Sequence, residues 1–175
     1  MLANSLDDVF DAMFDFFIST PRVTTLCMAQ SGDFIGGGGS KMCIDQFRRK
    51  AMNSFFCDTE RRFEFQGKVN EDVNTYTSLA SRGVLMLTTA FVSLNQKTTQ
   101  QSPGGMSGLY RDSGTYIKTF YSVMIHPSGV KISVLFNTSA VRKLSPKTNK
   151  QARIHHRVSW INTAPMILRE NIKKS

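Results

Sequence analysis

Three cysteines, three histidines and a run of four glycines are the residues of this chain whose chemistry needs weighing first. A metal site requires several nitrogen, sulfur or carboxylate ligands brought to one place. The spacings of Cys27, Cys43 and Cys57 match neither a zinc pattern nor a disulfide framework. His126 stands beside a turn proline, and the adjacent His155 and His156 face opposite ways if their segment is a strand. No metal and no cofactor are therefore expected. A cysteine nucleophile needs a base beside it, and nothing local supplies one, so the three thiols read as reduced, buried small hydrophobes. The glycine run in Ser31–Ser40 ends in Gly39-Ser40-Lys41, whereas a phosphate-binding loop needs glycine, lysine and then a hydroxyl. It reads as a flexible linker. The acids gather in the first twenty residues and between Asp58 and Asp72, with no spacing that implies paired acid–base work. These observations predict no catalytic residues and a protein that is not an enzyme.

Charge carries more information. Residues 1–72 hold eleven acids and eight bases, for a net of −3, whereas residues 73–175 hold two acids and fourteen bases, for +12. A basic half of this kind attracts polyanions, either nucleic acid or anionic lipid, unless it serves only as a solubilising surface. The densest bases are Arg142, Lys143, Lys147, Lys150, Arg153 and Arg157, with Arg48, Arg49 and Lys50 in support. Together they are the expected contact for lipid or RNA. Met106, Leu109 and Tyr110 interrupt the polar stretch from Asn95 to Gly114 and are the expected apolar contact with a membrane or a neighbouring subunit. No segment has the roughly 20 apolar residues needed to span a bilayer, and the first twenty residues show no signal peptide. The expected location is soluble and intracellular, or peripheral on a membrane.

The elements that would position these groups follow from periodicity. Leu6 to Ile18 predicts an amphipathic helix, with Ser5 as its cap and Pro21 ending the run. Its stripe of Phe10, Met13, Phe14 and Phe17 either docks on its own domain or serves self-association. Val23 to Met28 predicts a short strand, and Lys41 to Cys57 a basic helix. Arg62 to Val69 alternates as a strand does, and helical spacing then runs from Tyr76 to Leu94, where Arg82 is the sole charge. Thr115 to His126 and Gly129 to Ser139 predict a hairpin turning at Pro127-Ser128-Gly129. Ala152 to Ile161 predicts a further strand, and Pro165 to Ser175 a short terminal helix. The expected fold is α+β: a single domain whose antiparallel twisted sheet packs on one long apolar helix, preceded by the N-terminal amphipathic helix. Residues 1–40 form the acidic helix and Gly-rich linker, and residues 41–175 the globular domain.

From Arg61 to Ile161, a strand leads into Asn74-Thr75-Tyr76-Thr77-Ser78-Leu79 and an apolar helix, followed by a polar loop and antiparallel strands. This order resembles the globular domain of rhabdovirus matrix proteins, most of all those of plant-infecting cytorhabdoviruses. The resemblance implies a structural protein of the virion and host cytoplasm that binds anionic membrane and the viral nucleocapsid and forms a homo-oligomer. A nucleic-acid-binding silencing suppressor or movement protein is the alternative.

Overall fold

The computed structural model describes residues 5–30, 50–52, 54–94, 106–113, 116–136 and 152–163. Helix α1, Leu6–Ser19, starts where expected: Ser5 accepts a hydrogen bond from the Asp8 amide while the Asp8 carboxylate accepts one from the Ser5 amide. This reciprocal capping satisfies two amides that the first turn leaves open. Val23–Gln30 is strand β1 and Phe55–Cys57 is β2. Helix α2 is Glu71–Ser81 and β3 is Leu85–Leu94. Then come α3, Ser107–Ser113, α4, Tyr116–Ile125, β4, Val130–Phe136, and β5, Ala152–Val158, closed by a 3-10 turn at Trp160–Thr163.

The strands form two sheets. In the first, of order β2-β1-β3, β1 runs antiparallel to β2, with Leu26 opposite Phe56, and parallel to β3, with Leu26 opposite Leu87. A parallel pair needs a crossover, and α2 lies in it. In the second sheet β4 and β5 are antiparallel, from Val130 opposite Val158 to Phe136 opposite Ala152. Val23 and Leu26 to Ala29 of β1 are all buried, as suits a strand covered on both faces. Leu26 and Met28 pack with Met13 and Phe17 of α1, while Cys27 packs with Val73 and Tyr76 of α2. The two helices thus cover opposite faces. Although β1 belongs to the first of the two expected regions, its partners β2 and β3 belong to the second.

The α+β class holds, but four expected elements do not. The helix expected over Lys41 to Cys57 ends instead as strand β2, Phe55–Cys57, and is not helical at 50–52. The long apolar helix is two elements, because α2 stops at Ser81. Gly83 takes a φ of +87° there, its amide bonds the Ala80 carbonyl, and the Val84 amide bonds that of Leu79. This glycine-terminated cap ends a helix, and the β-branched run beyond it pairs with β1. The sheet on which it was to lie is mixed rather than antiparallel. Thr115 to His126, expected as a strand, is helix α4. Its buried residues, Thr119 and Ser122, are polar, one turn apart and fully covered, so apolar alternation misreported which side faces in. Arg62 to Val69 pairs with no described strand; Phe63 and Phe65 instead meet Phe55, with ring centroids 6.2 and 5.1 Å away.

On the α1 side, Met13 and Phe17 are 6% and 4% exposed and Phe10 packs beside them, while Phe14 is 53% exposed and meets Phe56 edge-on. Three of the four residues expected in self-association therefore belong to the protein's own core. Arg61 secures this region: its guanidinium donates to the carbonyls of Thr20 and Val23, pairs with Asp58, and lies 4.1 Å from the Phe17 ring centroid. It joins the end of α1 to the start of β1.

Candidate functional site

The opposite side of the first sheet buries polar residues beside the apolar Val73 and Tyr76. On α2, Asn74, Thr75, Thr77 and Ser78 are all buried. The Asn74 amide donates to the carbonyls of Gln66 and Val69 at 3.1 and 3.0 Å, and Thr75 Oγ1 accepts from the Gln66 amide at 2.8 Å. These bonds staple residues 66–69 onto the helix. Asn70, at a left-handed φ of +56° that asparagine tolerates, sets the chain direction into α2 and donates to Ser122 Oγ of α4 at 2.6 Å. The first turn of α2 is thereby held against α4. On its other side Tyr76 stacks on Trp160, rings 12° from parallel.

That first turn carries Glu71, exposed, and Asp72, half-buried. Burial pushes the Asp72 carboxyl above its usual value; the Val73 amide opposes this, Glu71 adds to it, and the charges of Lys50 and Lys118 oppose it. Lys118 comes from α4. Lys50 comes from the segment before β2, where its carbonyl accepts a hydrogen bond from Thr88 of β3 at 2.8 Å. The same two lysines act on His156 of β5, which is 6% exposed and whose ring centroid lies 4.3 Å from that of His155. Adjacent strand residues are expected on opposite faces, yet these two rings meet. His156 is held neutral, its pKa pushed down to about 3 chiefly by burial, then by His155, Lys118 and Lys50. Asp72 and His156, on separate elements, thus both feel the charges of Lys50 and Lys118. Among the described residues no three histidine, cysteine, aspartate or glutamate side chains converge to hold a metal ion.

Of the expected contact residues, Lys50 joins this cluster. Arg157 is exposed on β5, and Arg153 lies on the same strand. Arg48, Arg49, Arg142, Lys143, Lys147 and Lys150 lie outside the described residues, as do the glycine run and the expected terminal helix. Met106 is exposed, Leu109 is half-buried on α3, and Tyr110 follows it on that helix. Cys27 is fully buried and its thiol is pushed up to about 12 by burial, which makes it inert; Cys57 is exposed and Cys43 lies outside the described residues.

Sequence reasoning passed over Asp72, Lys118 and the pairing of His155 with His156. One signal was available. Glu71 and Asp72 stand at the mouth of a nearly uncharged helix, and after them only two acids follow in the chain.

The family model described as TET-Associated Glycosyltransferase matches residues 2–105, more than half of the chain, and the chain belongs to that family. No curated protein and no solved structure matches it. Lys50, Glu71 and Asp72 fall within the matched stretch; Lys118, His155 and His156 lie beyond it.

Family membership overturns the resemblance to rhabdovirus matrix proteins. The matrix function, the nucleocapsid-binding virion role, the silencing-suppressor or movement-protein alternative and the expectation of no enzyme fall with it. The resemblance rested on a long helix and a following hairpin, and the chain forms neither as expected. No described helix is long and apolar enough to cross a membrane.

Proposed function

We propose that this protein is a glycosyltransferase that moves a sugar from a phosphate-activated donor to an acceptor hydroxyl, using the cluster at the first turn of α2. Family membership carries the reading, and the chemistry of the cluster supports it. The acceptor oxygen forms a bond to the anomeric carbon while the bond from that carbon to the donor phosphate breaks, and the phosphate leaves with the electron pair. The hydroxyl proton goes to the Asp72 carboxylate. A carboxyl raised above its ordinary value is a better proton acceptor than a solvated one, and burial raises Asp72 in that sense. Lys50 and Lys118 supply charge that offsets the developing phosphate anion. The excess of bases after residue 72 suits a negatively charged acceptor better than a neutral one.

The test is turnover of a panel of nucleotide sugars by the full chain, with neutral and anionic hydroxyl acceptors, read as nucleoside diphosphate released. Turnover of at least one donor is expected, and Asp72→Asn should lower it about 100-fold without lowering the urea midpoint. No turnover of any donor, or an unimpaired Asp72→Asn, would sink the reading.

A further inference from the structure

Helix α4 is built inside out. Thr119 and Ser122 face the interior beside Val123, and Ser122 is fixed there by the hydrogen bond that it accepts from Asn70. Tyr116, Ile117 and Met124 face outward; Met124 is 77% exposed, and Phe120 is half-buried with its ring against that of Tyr116. Ile117, Phe120 and Met124 stand at i, i+3 and i+7 and so share one stripe. An amphipathic helix ordinarily turns such a stripe to the core, yet among the described residues this one stays open to solvent. Strand β4, on which α4 packs, adds Ile132 and Val134, both exposed. An apolar patch of this kind marks a contact surface.

Charge narrows what covers it. From Ser113 to Arg169 the chain has nine bases and no acid, so a second α4 laid on the first would press two positive regions together. The acids are at the other end. Residues 1–21 hold four aspartates and no base. The outer flank of α1 sets Asp7, Asp11 and Asp15, all exposed, beside Phe14 and Ile18, the latter 67% exposed. Asp7, Asp11, Phe14 and Ile18 recur at helical spacing and so lie along one side. Within one copy the two surfaces are kept apart, because α1 covers one face of the first sheet and α4 lies against α2, which covers the other.

We propose that the outer flank of α1 docks on the α4 stripe of a second copy of this chain, Phe14 and Ile18 against Ile117 and Met124, with the aspartates in the positive field of the α4–β4 unit. Two different patches make this contact, so each pair of copies keeps one free patch of each kind and further copies add head to tail. Association grows with concentration and weakens with salt.

The test compares the full chain with Met124→Glu and Ile18→Glu by sedimentation velocity over a concentration series. Ionic strengths of about 0.1 M and about 1 M let charges act over about 10 and about 3 Å. Both replaced side chains are exposed, and circular dichroism checks that each variant keeps its helices. Wild type should form species larger than a dimer as concentration rises, less so at the higher salt. Each variant alone should lose association, because a carboxylate in the middle of an apolar contact is costly to bury. Their one-to-one mixture should form a dimer and nothing larger, since the α1 flank of one variant and the α4 stripe of the other are intact. Association of Ile18→Glu alone would mean that α4 pairs with α4, and a monomeric wild type would mean that the stripe has another occupant. Either result, or a monomeric mixture, overturns the proposal. Should a variant unfold, carbodiimide cross-linking of wild type decides: links from Asp11 or Asp15 to Lys118 or Lys131 between copies are expected, and their absence overturns it.

Discussion

The two helices on opposite faces of the first sheet are built on contrary terms. Helix α1 turns Met13 and Phe17 inward and contributes only apolar surface to the core. Helix α2 turns Asn74, Thr75, Thr77 and Ser78 inward beside Val73 and Tyr76, and its residues contribute hydrogen bonds that hold the loop at 66–69, while Asn70 at its start bonds the neighbouring helix. Apolar burial is non-directional and tolerates small shifts, whereas a hydrogen-bonded contact fixes position to a fraction of an ångström. The difference teaches where chemistry sits in this molecule: α1 anchors, and α2 aims.

That contrast can be broken by mutation. Phe17→Ala should cost about 3–5 kcal/mol of stability, with added loss from the Arg61 guanidinium that lies over the ring, as read by urea unfolding. Turnover per folded molecule should not change; a specific loss of turnover would mean that α1 also aims. Asn74→Ala should cost about 1–3 kcal/mol by stranding the carbonyls of Gln66 and Val69, and turnover should fall as well, because the first turn loses its support. Stability lost with turnover intact would dissolve the distinction. Removing the α1 cap with Ser5→Ala should cost only about 1 kcal/mol and leave turnover alone.

The pH dependence of stability sets the α2 side apart from α1, through two groups that act in opposite directions. His156 takes a proton less readily folded than unfolded. Its contribution is complete above the unfolded value of 6.5 and is lost as pH falls from there toward about 3. Asp72 behaves oppositely: its carboxyl is raised, so the folded state holds its proton longer, and stability falls as pH rises from 3.8 through the folded value. In denaturant titrations between pH 3 and pH 8, His156→Gln should flatten the acid-side loss and Asp72→Asn should remove the opposing slope. The α1 variants should keep both. Identical pH profiles in all four proteins would show that neither group is perturbed by folding.

What could be read from the chain follows the same division. Helix α1 was legible from its cap at Ser5 to within one residue of its end, because a good cap and an apolar stripe act locally and agree. Strands β1, β4 and β5 were legible from their β-branched and aromatic runs. Helix α4 was not, since its inward residues, Thr119 and Ser122, look like surface. The split at Gly83 was missed because helical spacing happens to continue through Val84, Leu87 and Phe91, and only pairing with β1, distant in sequence, decides for a strand. The site was missed for a related reason. Lys50, Asp72, Lys118 and His156 lie on four separate segments, and no local pattern ties them together. The placing of the first turn of α2 depends on Asn70 and Asn74, whose bonds exist only once the loop and helices are in place.

The parallel register between β1 and β3 has a further consequence, during synthesis. Strand β1 emerges early, but Leu26 cannot meet Leu87 until the whole of the intervening chain has left the ribosome. Until then the apolar residues of β1 have only α1 and β2 as cover, and long-range pairing of this kind is slow to form. The capped α1, next to β1 in sequence, is the first apolar cover that the strand can meet. Its early assembly would protect the growing chain from aggregation well before the charged first turn of α2 has anything to face.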